Sequence, residues 1–386
     1  AFLEYIDPYG DRIPLDGVSI ISGGSYGTVF KYSNKSKKNI SVAVKEFKLL
    51  GGWDVDIDLK NELNIIKYIN SKEWSTTKRC NIVNSRVMTL RNKKEIVIMD
   101  EMNGTIKDFT TLSNRFQDWR TDGKLNEEIV YTIAVEVFKY LNCLHNFNPP
   151  LCYTDLKPHN ILYKRGKIDE KKNASIELYL GDLGSIYIQK PIIIGSKVEW
   201  IFRGGASVEV LHKNGSVIPW ENKDKKSYVY NCTVIGHDYD RTNIKYNIAL
   251  EADEKDKYHT IIGIEESELK LIKNDFKSTF PTLEIIYNQE NNYITSEDEM
   301  VWGFGVILLY LLGIRYIYLA NKYIIEAQGN GISMRELYRR IKSNIDKFTI
   351  KNENLRRIID EIFQPDRVGR SINMKHIERI LLLKGD

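Results

Sequence analysis

The sequence predicts an α+β protein in two parts, strand-rich over about its first hundred residues and mainly helical afterwards, with a long insertion in the helical part. Short apolar segments separated by turn residues fill the N-terminal part. From residue 126 onward, apolar residues recur at helical spacing. Between about residues 190 and 272, alternating segments rich in aromatic residues return. The 386 residues suffice for two or three domains or for one two-lobed unit.

The composition is typical of a soluble globular protein, with 42% hydrophobic and 28% charged residues. The 56 basic and 52 acidic side chains leave a net charge of +4, which gives no specific signal for nucleic-acid or membrane-surface binding. The longest apolar run, 301–314, is shorter than the roughly 20 residues of a membrane span and predicts a buried core helix. We expect no signal peptide in the N-terminal residues.

The cysteines and histidines give no sign of a metal site or of a redox motif. None of the four cysteines has CxxC spacing to another, and none of the six histidines stands at metal-ligand spacing from another. We therefore expect an intracellular, reducing compartment.

The N-terminal part predicts four strands and one helix. The strand candidates are the apolar segments 18–21, 28–32, 41–47 and 95–99. Leu63, Ile66 and Ile69 lie on one face of a helix over 60–69, with Glu62 on its polar side.

The C-terminal part predicts several helices. One begins after Asn126, which can cap it, and ends before Pro149 and Pro150. The other predicted helices span 298–314, 333–345, 353–363 and 373–383.

Residues 190–272 differ from this helical pattern and predict an ordered, partly β insertion. The stretch contains more large aromatic side chains than a solvated linker would, namely Trp200, Phe202, Trp220, Tyr228, Tyr230 and Tyr239. The alternative is a disordered connecting segment.

Two N-terminal features could bind a polyphosphate. Glycines in the segment 22–29, between two predicted strands, would let backbone N–H groups approach phosphates closely, although a glycine-bearing hairpin is more often only a hairpin. Lys45 ends the apolar strand and could reach the same phosphates if a carboxylate held it, and Glu62 is the candidate.

The strongest chemical pattern is the segment from Tyr153 to Asn160. Asp155 and Asn160 are five positions apart in a predicted loop, so both can face one cavity. Asp155 can accept a hydroxyl proton, Asn160 can ligate Mg²⁺, and Lys157 can offset the charge of a transferred phosphoryl group. Asp182, at a strand end before Gly184, can supply a further metal contact.

The order of these motifs resembles the eukaryotic-type protein kinases, in a divergent form similar to kinases encoded by large DNA viruses. The resemblance covers about 1–186 and 276–386 and implies a two-lobed protein-kinase-like fold with a large insertion in the activation segment. Thr282-Leu283-Glu284 stands where the family has Ala-Pro-Glu, and Arg370 matches its arginine partner. Trp302 and Gly305 match the core helix of the family.

The resemblance implies ATP as cofactor, with Mg²⁺ or alternatively Mn²⁺. Lys45 would contact the α- and β-phosphates and pair with Glu62. Asp155 and Lys157 would act at the transferred group. Asn160 and Asp182 would bind the metal. Four groups of residues would contact the nucleotide. The glycine loop would contribute Ser22, Gly23, Gly24, Ser25 and Gly27, and the adenine would lie between Val29, Ala43 and Leu162. Met99 would be the gatekeeper, and the hinge would consist of Asp100, Glu101 and Met102.

Five positions depart from the family. Ser22 replaces the first glycine of the loop, Tyr153 and Thr154 replace the usual His-Arg pair, and Leu183 replaces a phenylalanine. Met300 stands where the core helix usually carries an aspartate that holds the catalytic loop, which is here the segment from Tyr153 to Asn160. The adjacent Glu299 is expected to point elsewhere.

The resemblance therefore implies a serine/threonine-protein kinase with an N-lobe over 1–102, a first C-lobe part over 103–189, the insertion over 190–272 and a second C-lobe part over 273–386. Protein substrates with Ser or Thr are the expected partners, the insertion is a candidate docking module, and the cytoplasm or a viral particle is the expected location.

Two alternatives stay open. A catalytically weak kinase-fold scaffold is favoured by Met300 and the long activation segment, but the phosphate- and metal-handling residues are retained. A small-molecule kinase of the aminoglycoside-phosphotransferase type would usually have histidine where Lys157 stands, and would lack the pairing of Glu284 with Arg370.

Overall fold

The computed structural model gives two compact units, and each is built from discontinuous stretches of chain. It describes residues 3–6, 12–23, 27–36, 40–47, 57–71, 80–89, 95–110, 114–168, 174–188, 192, 194–203, 208–211, 217–220, 227–240, 243–250, 260–273, 296–315, 331–364 and 373–382. The first unit contains Ala1–Thr77, Val83–Met102 and Pro191–Phe276. The second contains Lys78–Ile82, Asn103–Lys190 and Lys277–Asp386.

The N-terminal part of the first unit consists of a two-stranded sheet of its first two strands, a five-stranded sheet and one helix. Its strands are β1 (Leu3–Ile6), β2 (Arg12–Leu15), β3 (Gly17–Gly23), β4 (Gly27–Ser33), β5 (Ser41–Phe47), β6 (Ser85–Thr89) and β7 (Glu95–Asp100). Helix α1 spans Ile57–Asn70. Strands β3 to β7 form a five-stranded antiparallel sheet in the order β3-β4-β5-β7-β6. The predicted strands and the predicted helix in this part are confirmed.

The alternating direction of its side chains gives β5 residues on both faces of this sheet. Val42 and Val44 join Ile96 and Ile98 in an apolar cluster on one face. Because successive strand residues point to opposite faces, Ala43 and Lys45 lie on the other face.

The second unit begins with short strands around a long helix. The strands are β8 (Gly104–Thr105), β9 (Arg120–Thr121), β10 (Lys124–Leu125), β11 (Leu151–Tyr153), β12 (Ile161–Ile168), β13 (Ala174–Leu180) and β14 (Ile186–Ile188). Helix α2 spans Glu127–His145. Its predicted cap is confirmed, since Asn126 accepts a hydrogen bond from the Glu128 N–H at 2.9 Å.

The inserted residues form a seven-stranded antiparallel sheet, which we call the inserted sheet. Its strands are β15 (Lys197–Phe202), β16 (Val208–Leu211), β17 (Val217–Trp220), β18 (Tyr228–Asp240), β19 (Asn243–Leu250), β20 (Thr260–Ile264) and β21 (Leu269–Lys273), in the order β17-β16-β20-β19-β18-β15-β21. Trp200, Phe202, Val234, Tyr246 and Ile248 lie in its apolar core. These residues group with the first unit, although the chain on both sides of them belongs to the second.

Four further helices complete the described part of the second unit. They are α3 (Ser296–Leu311), α4 (Met334–Ile345), α5 (Glu353–Ile362) and α6 (Met374–Leu382). The residues of α3 from 299 to 309 are all buried, as expected for a helix that is apolar on every side. The predicted core helix is thus confirmed. No helix in the described part of the chain is long and apolar enough to cross a lipid bilayer.

A disulfide between Cys80 and Cys143 joins the segment before β6 to helix α2. Cys152 and Cys232 are buried thiols. The sequence analysis did not foresee this bond, because the two cysteines are 63 positions apart and the spacing of cysteines in sequence does not show which ones meet in the fold. The expectation of reduced cysteines is corrected at this pair.

Candidate active site

The glycine-bearing hairpin is formed by β3 and β4, whose flanking residues the structure describes. Ser22 and Gly23 are exposed at the end of β3, and Gly27 is buried at the start of β4. A Cβ atom on Gly27 would lie 2.6 Å from the Glu46 carbonyl oxygen, so the close approach of β5 requires glycine here. The predicted loop residues Gly24 and Ser25 lie outside the described residues.

Lys45 and Glu62 form an ion pair inside the first unit. Lys45 Nζ on β5 lies 2.6 Å from Glu62 Oε2 on α1, and their side chains are 16% and 3% exposed. The sequence analysis placed Glu62 on a polar side of the helix, but the structure buries it. Removing one partner of a buried pair leaves the other charge desolvated and uncompensated. The position of α1 and the orientation of Lys45 therefore depend on each other.

The residues predicted to surround an adenine on the first unit lie on neighbouring strands. Ala43 is buried and is the Cα partner of Met99 across β5 and β7, and Val29 is the partner of Lys45 across β4 and β5. Val29 and Met99 are half-buried. Leu162, the other predicted sandwiching residue, lies at the start of β12 in the second unit and is half-buried.

The predicted hinge segment follows β7, and its central side chain is held by the sheet. Glu101 accepts hydrogen bonds from Lys31 Nζ at 2.6 Å and from the Ser41 hydroxyl. Burial would raise the pKa of Glu101, but these hydrogen bonds and the charge of Lys31 lower it overall. Asp100 is exposed and Met102 is half-buried. The Glu101 side chain therefore anchors the segment to β4 and β5.

In the second unit, the catalytic-loop residues come together as their spacing predicted. Lys157 Nζ lies 2.9 Å from Asp155 Oδ2, and the side chain of Asp155 is fully buried. The Asn160 amide Nδ2 donates to the Asp155 carbonyl oxygen at 2.8 Å. This bond fixes the amide of Asn160 so that its Oδ1 is the acceptor available to a ligand. A carboxylate, a cation and an amide oxygen are therefore held within one short loop.

Asp182 follows β13 in a strained turn. Its φ of 48° and ψ of 65° are left-handed, a conformation that non-glycine residues seldom adopt and that recurs at functional sites. The Ser185 hydroxyl donates to Asp182 Oδ2 at 2.9 Å, and the Ser185 N–H donates to the Asp182 carbonyl at 3.0 Å. These bonds set the orientation of the carboxylate.

The Asp182 turn is tied to the catalytic loop by hydrogen bonds to backbone carbonyl groups. The Gly181 N–H donates to the Asn160 carbonyl at 2.9 Å, and the Tyr153 hydroxyl donates to the Gly181 carbonyl. The N–H of Thr154 donates to the Ser185 carbonyl at 3.0 Å. Asn160 and Asp182, predicted to bind one metal ion, are therefore positioned by the same network.

Carboxylate and amide oxygens are ligands that Mg²⁺ accepts, so Asp182 and Asn160 fit this metal. In the part of the chain that the structure describes, no group of three or more His, Cys, Asp or Glu side chains is arranged to hold a metal ion. A metal here would depend on these two side chains together with phosphate and water oxygens, which is the usual way that Mg²⁺ is bound.

The core helix α3 supports the catalytic loop through Gly303. A Cβ atom on Gly303 would lie 2.8 Å from the Cβ of Leu156 and 3.2 Å from its carbonyl oxygen, so the helix packs directly on the loop. Met300 and Glu299 are both buried in α3. Glu284 and Arg370, predicted to pair, lie outside the described residues.

Sequence reasoning missed Ser185, Gly303 and the role of Tyr153. Ser185 stands three positions after Asp182, a spacing at which a hydroxyl can reach back in a tight turn, and that was the available signal. Gly303 lies between the recognised Trp302 and Gly305 but was not singled out. Tyr153 was noted only as a departure, whereas its hydroxyl bonds to the turn that carries Asp182.

Comparison with known proteins finds similarity to protein kinases. Residues 16–189 match the family model of the protein kinase domain. Over 150 residues the chain is 29% identical to serine/threonine-protein kinase 36 of Mus musculus, a match that covers 39% of the chain and 10% of that protein. Over 155 residues it is 26% identical to putative serine/threonine-protein kinase/receptor R826 of Acanthamoeba polyphaga mimivirus, which covers 40% of the chain and 8% of that protein. The matches thus span about a tenth of these relatives.

Proposed function

Since residues 16–189 carry a divergent protein kinase domain similar to those of eukaryotic-type Ser/Thr kinases, we propose that the chain transfers the γ-phosphoryl group of ATP to Ser and Thr hydroxyls of protein substrates. The observation that carries this proposal is the arrangement of Asp155, Lys157 and Asn160. A buried carboxylate with a lysine ammonium at 2.9 Å and a fixed amide is what phosphoryl transfer to a hydroxyl requires.

The second unit would supply the groups at the reacting atoms. Asp155 orients the substrate hydroxyl and accepts its proton, and Lys157 stabilises the negative charge of the transferred group. Asn160 and Asp182 would hold Mg²⁺, with Mn²⁺ as an alternative, and the metal when bound would neutralise phosphate charge. The hydrogen bonds of Ser185 and Tyr153 keep this part of the loop in one conformation before substrate binds.

The first unit would supply the nucleotide contacts. Lys45, held by Glu62, binds the α- and β-phosphates, while the β3–β4 hairpin covers them with backbone N–H groups. Val29, Ala43 and Met99 contact the adenine ring. The backbone of 100–102 pairs with the edge of that ring, and Glu101 keeps the segment in place through Lys31 and Ser41. Docking of a further partner by the inserted sheet remains a prediction.

The test is a transfer assay with ATP labelled at the γ-phosphate and a mixture of casein and histones as substrate. We expect Mg²⁺-dependent labelling of Ser and Thr, identified after acid hydrolysis. Asp155→Asn should lower the rate at least about 100-fold, because it removes the proton acceptor. Asp118→Asn is the matched control, since Asp118 is exposed in the same unit. Absence of labelling by the wild-type chain, or labelling that Asp155→Asn leaves unchanged, would contradict the proposal.

A further inference from the structure

Helix α1, which carries Glu62, is buried on more of its circumference than one sheet can cover. Seven of the ten residues from 61 to 70 are buried, and they are Asn61, Glu62, Leu63, Ile65, Ile66, Tyr68 and Ile69. A surface helix packed on a single neighbour usually buries one stripe of residues at three- and four-residue spacing. Here two such stripes are buried, one through Glu62, Ile66 and Ile69 and the other through Asn61, Ile65 and Tyr68.

The five-stranded sheet contacts α1 on the side that carries Glu62. Glu62 reaches Lys45 on β5 in that sheet, and Asn70 at the end of the helix donates to the Ser85 carbonyl on β6 at 3.3 Å. The second stripe therefore needs another neighbour. Its burial is large, because Ile65 is fully buried and Tyr68 is 1% exposed.

Strand β18 of the inserted sheet is available as this second neighbour, because it packs against α1 within the first unit. Ile235 on β18 occupies a β-bulge between Val234 and Gly236. It is only 7% exposed, yet it lies outside the apolar cluster that forms the core of the inserted sheet. A bulge redirects a side chain away from the regular alternation of a strand. The burial of Ile235 is thus explained if it packs on α1.

We propose that the inserted sheet holds α1 in the position that pairs Glu62 with Lys45, and that Ile235 is a positioning residue for this pair. The role of Ile235 at the nucleotide rests on the proposed function, whereas the support of α1 does not. A helix that can occupy more than one position is shifted toward whichever position its neighbour contacts best. In this protein that neighbour is part of the same chain, so the paired arrangement needs no separate partner.

The test compares Ile235→Asn with two matched variants on β18. Ile235→Val keeps the apolar contact, and Val229→Asn introduces the same polar group at a position that is 62% exposed. Amide hydrogen exchange is followed by mass spectrometry in α1 and, separately, in β15 and β19 of the inserted sheet. We expect Ile235→Asn to raise exchange in α1 at least tenfold and to leave β15 and β19 protected. Ile235→Val and Val229→Asn should match the wild type.

The second readout is a double-mutant cycle on phosphoryl transfer. Ile235→Asn should lower kcat at least tenfold in the wild-type chain, but less than twofold further in a Glu62→Gln background, because both changes act through the same pair. A residue that only stabilises the fold would lower kcat by the same factor in both backgrounds. Equal factors, or unchanged exchange in α1, would overturn the proposal.

Two results separate this inference from the proposed function and from general unfolding. If the wild type transfers no phosphate but Ile235→Asn loosens α1 alone, the support of α1 stands and the proposed function fails. If Ile235→Asn also loosens β15 and β19, Ile235→Ala replaces it, because that change shortens the side chain without adding a polar group. Unchanged α1 exchange in Ile235→Ala would then overturn the inference, and faster exchange limited to α1 would support it.

Discussion

Gly303 of helix α3 packs against Leu156 of the catalytic loop with no room for a side chain, since a Cβ atom on Gly303 would lie 2.8 Å from the Cβ of Leu156. In the kinase family that the sequence resembles, an aspartate at the position of Met300 usually holds this loop. Here the helix also contacts the loop directly, through the close approach of Gly303 to Leu156.

Gly303→Ala should therefore displace the catalytic loop. Overpacking of this kind costs about 1–3 kcal/mol, partly offset by about 1 kcal/mol of helix propensity gained by alanine. We expect kcat to fall at least tenfold at temperatures where the variant is fully folded.

Gly305→Ala is the matched control for this prediction. On the same helix, its Cβ would meet Ile362 Cγ2 at 2.9 Å and Phe363 Cε2 at 3.0 Å, which are side-chain atoms remote from the loop. It should lower the unfolding temperature by a similar amount and leave kcat within a few-fold of the wild type. Equal losses of kcat in both variants would show that the packing on Leu156 has no special role.

The disulfide between Cys80 and Cys143 predicts the thiol content of the chain. Under denaturing, non-reducing conditions two thiols should react with a thiol reagent, from Cys152 and Cys232, and four after reduction. Cys80→Ser and Cys143→Ser should each lower the free energy of unfolding by about 2–4 kcal/mol, and the double variant should lose no more than either one, because each change removes the same bond. Four reactive thiols before reduction would contradict the pairing.

We expect the ionised Glu101 carboxylate to contribute to the free energy of unfolding, and this contribution to fall at acid pH. Its pKa is lowered in the folded chain below the ordinary value of 4.5, because the hydrogen bonds from Lys31 and Ser41 and the charge of Lys31 outweigh the effect of burial. A depressed folded pKa stabilises the folded state above the unfolded pKa, and this contribution is lost as the pH falls through the folded value. The difference in unfolding free energy between wild type and Glu101→Gln should thus shrink from pH 7 to pH 3. A constant difference would show that the ionised carboxylate does not contribute.

Because Thr154 stands where the family has an arginine, we expect the chain to transfer phosphate without phosphorylation of its activation segment. The arginine usual at this position can pair with a phosphate, whereas Thr154 is buried and its N–H and hydroxyl both donate to the Ser185 carbonyl, at 3.0 and 3.2 Å. Enzyme treated with a phosphatase, shown by mass spectrometry to be unmodified and then freed of the phosphatase, should keep its initial rate. A loss of tenfold or more, about 1.4 kcal/mol, would contradict this, as would a basic residue elsewhere shown to bind an activating phosphate.

The elements that local patterns determine were predicted from the sequence. Strand β5 and helices α1 and α2 follow from apolar periodicity and from the Asn126 cap. The short spacing of Asp155, Lys157 and Asn160 predicted their proximity, because residues so close along a loop have little freedom to separate.

The features that depend on distant parts of the chain were not predictable in this way. Helix α1 packs against strand β18, which lies far from it along the chain, and the partner of Cys80 lies 63 positions away. Neither relationship leaves a local pattern. The support of the catalytic loop by Gly303 likewise depends on an approach between residues 303 and 156 that no periodicity encodes.

The most direct test of the central claim is the Mg²⁺ dependence of phosphoryl transfer in the wild type and in Asp182→Asn. Asp122→Asn is the matched control, because Asp122 is exposed and also has a left-handed backbone, with a φ of 53° against 48° for Asp182. We predict that the wild type and Asp122→Asn transfer phosphate to protein only with Mg²⁺ or Mn²⁺, and that Asp182→Asn is at least about 100-fold slower at saturating metal. Transfer that persists after chelation of the metal, or an Asp182→Asn rate equal to that of the control, would contradict the account.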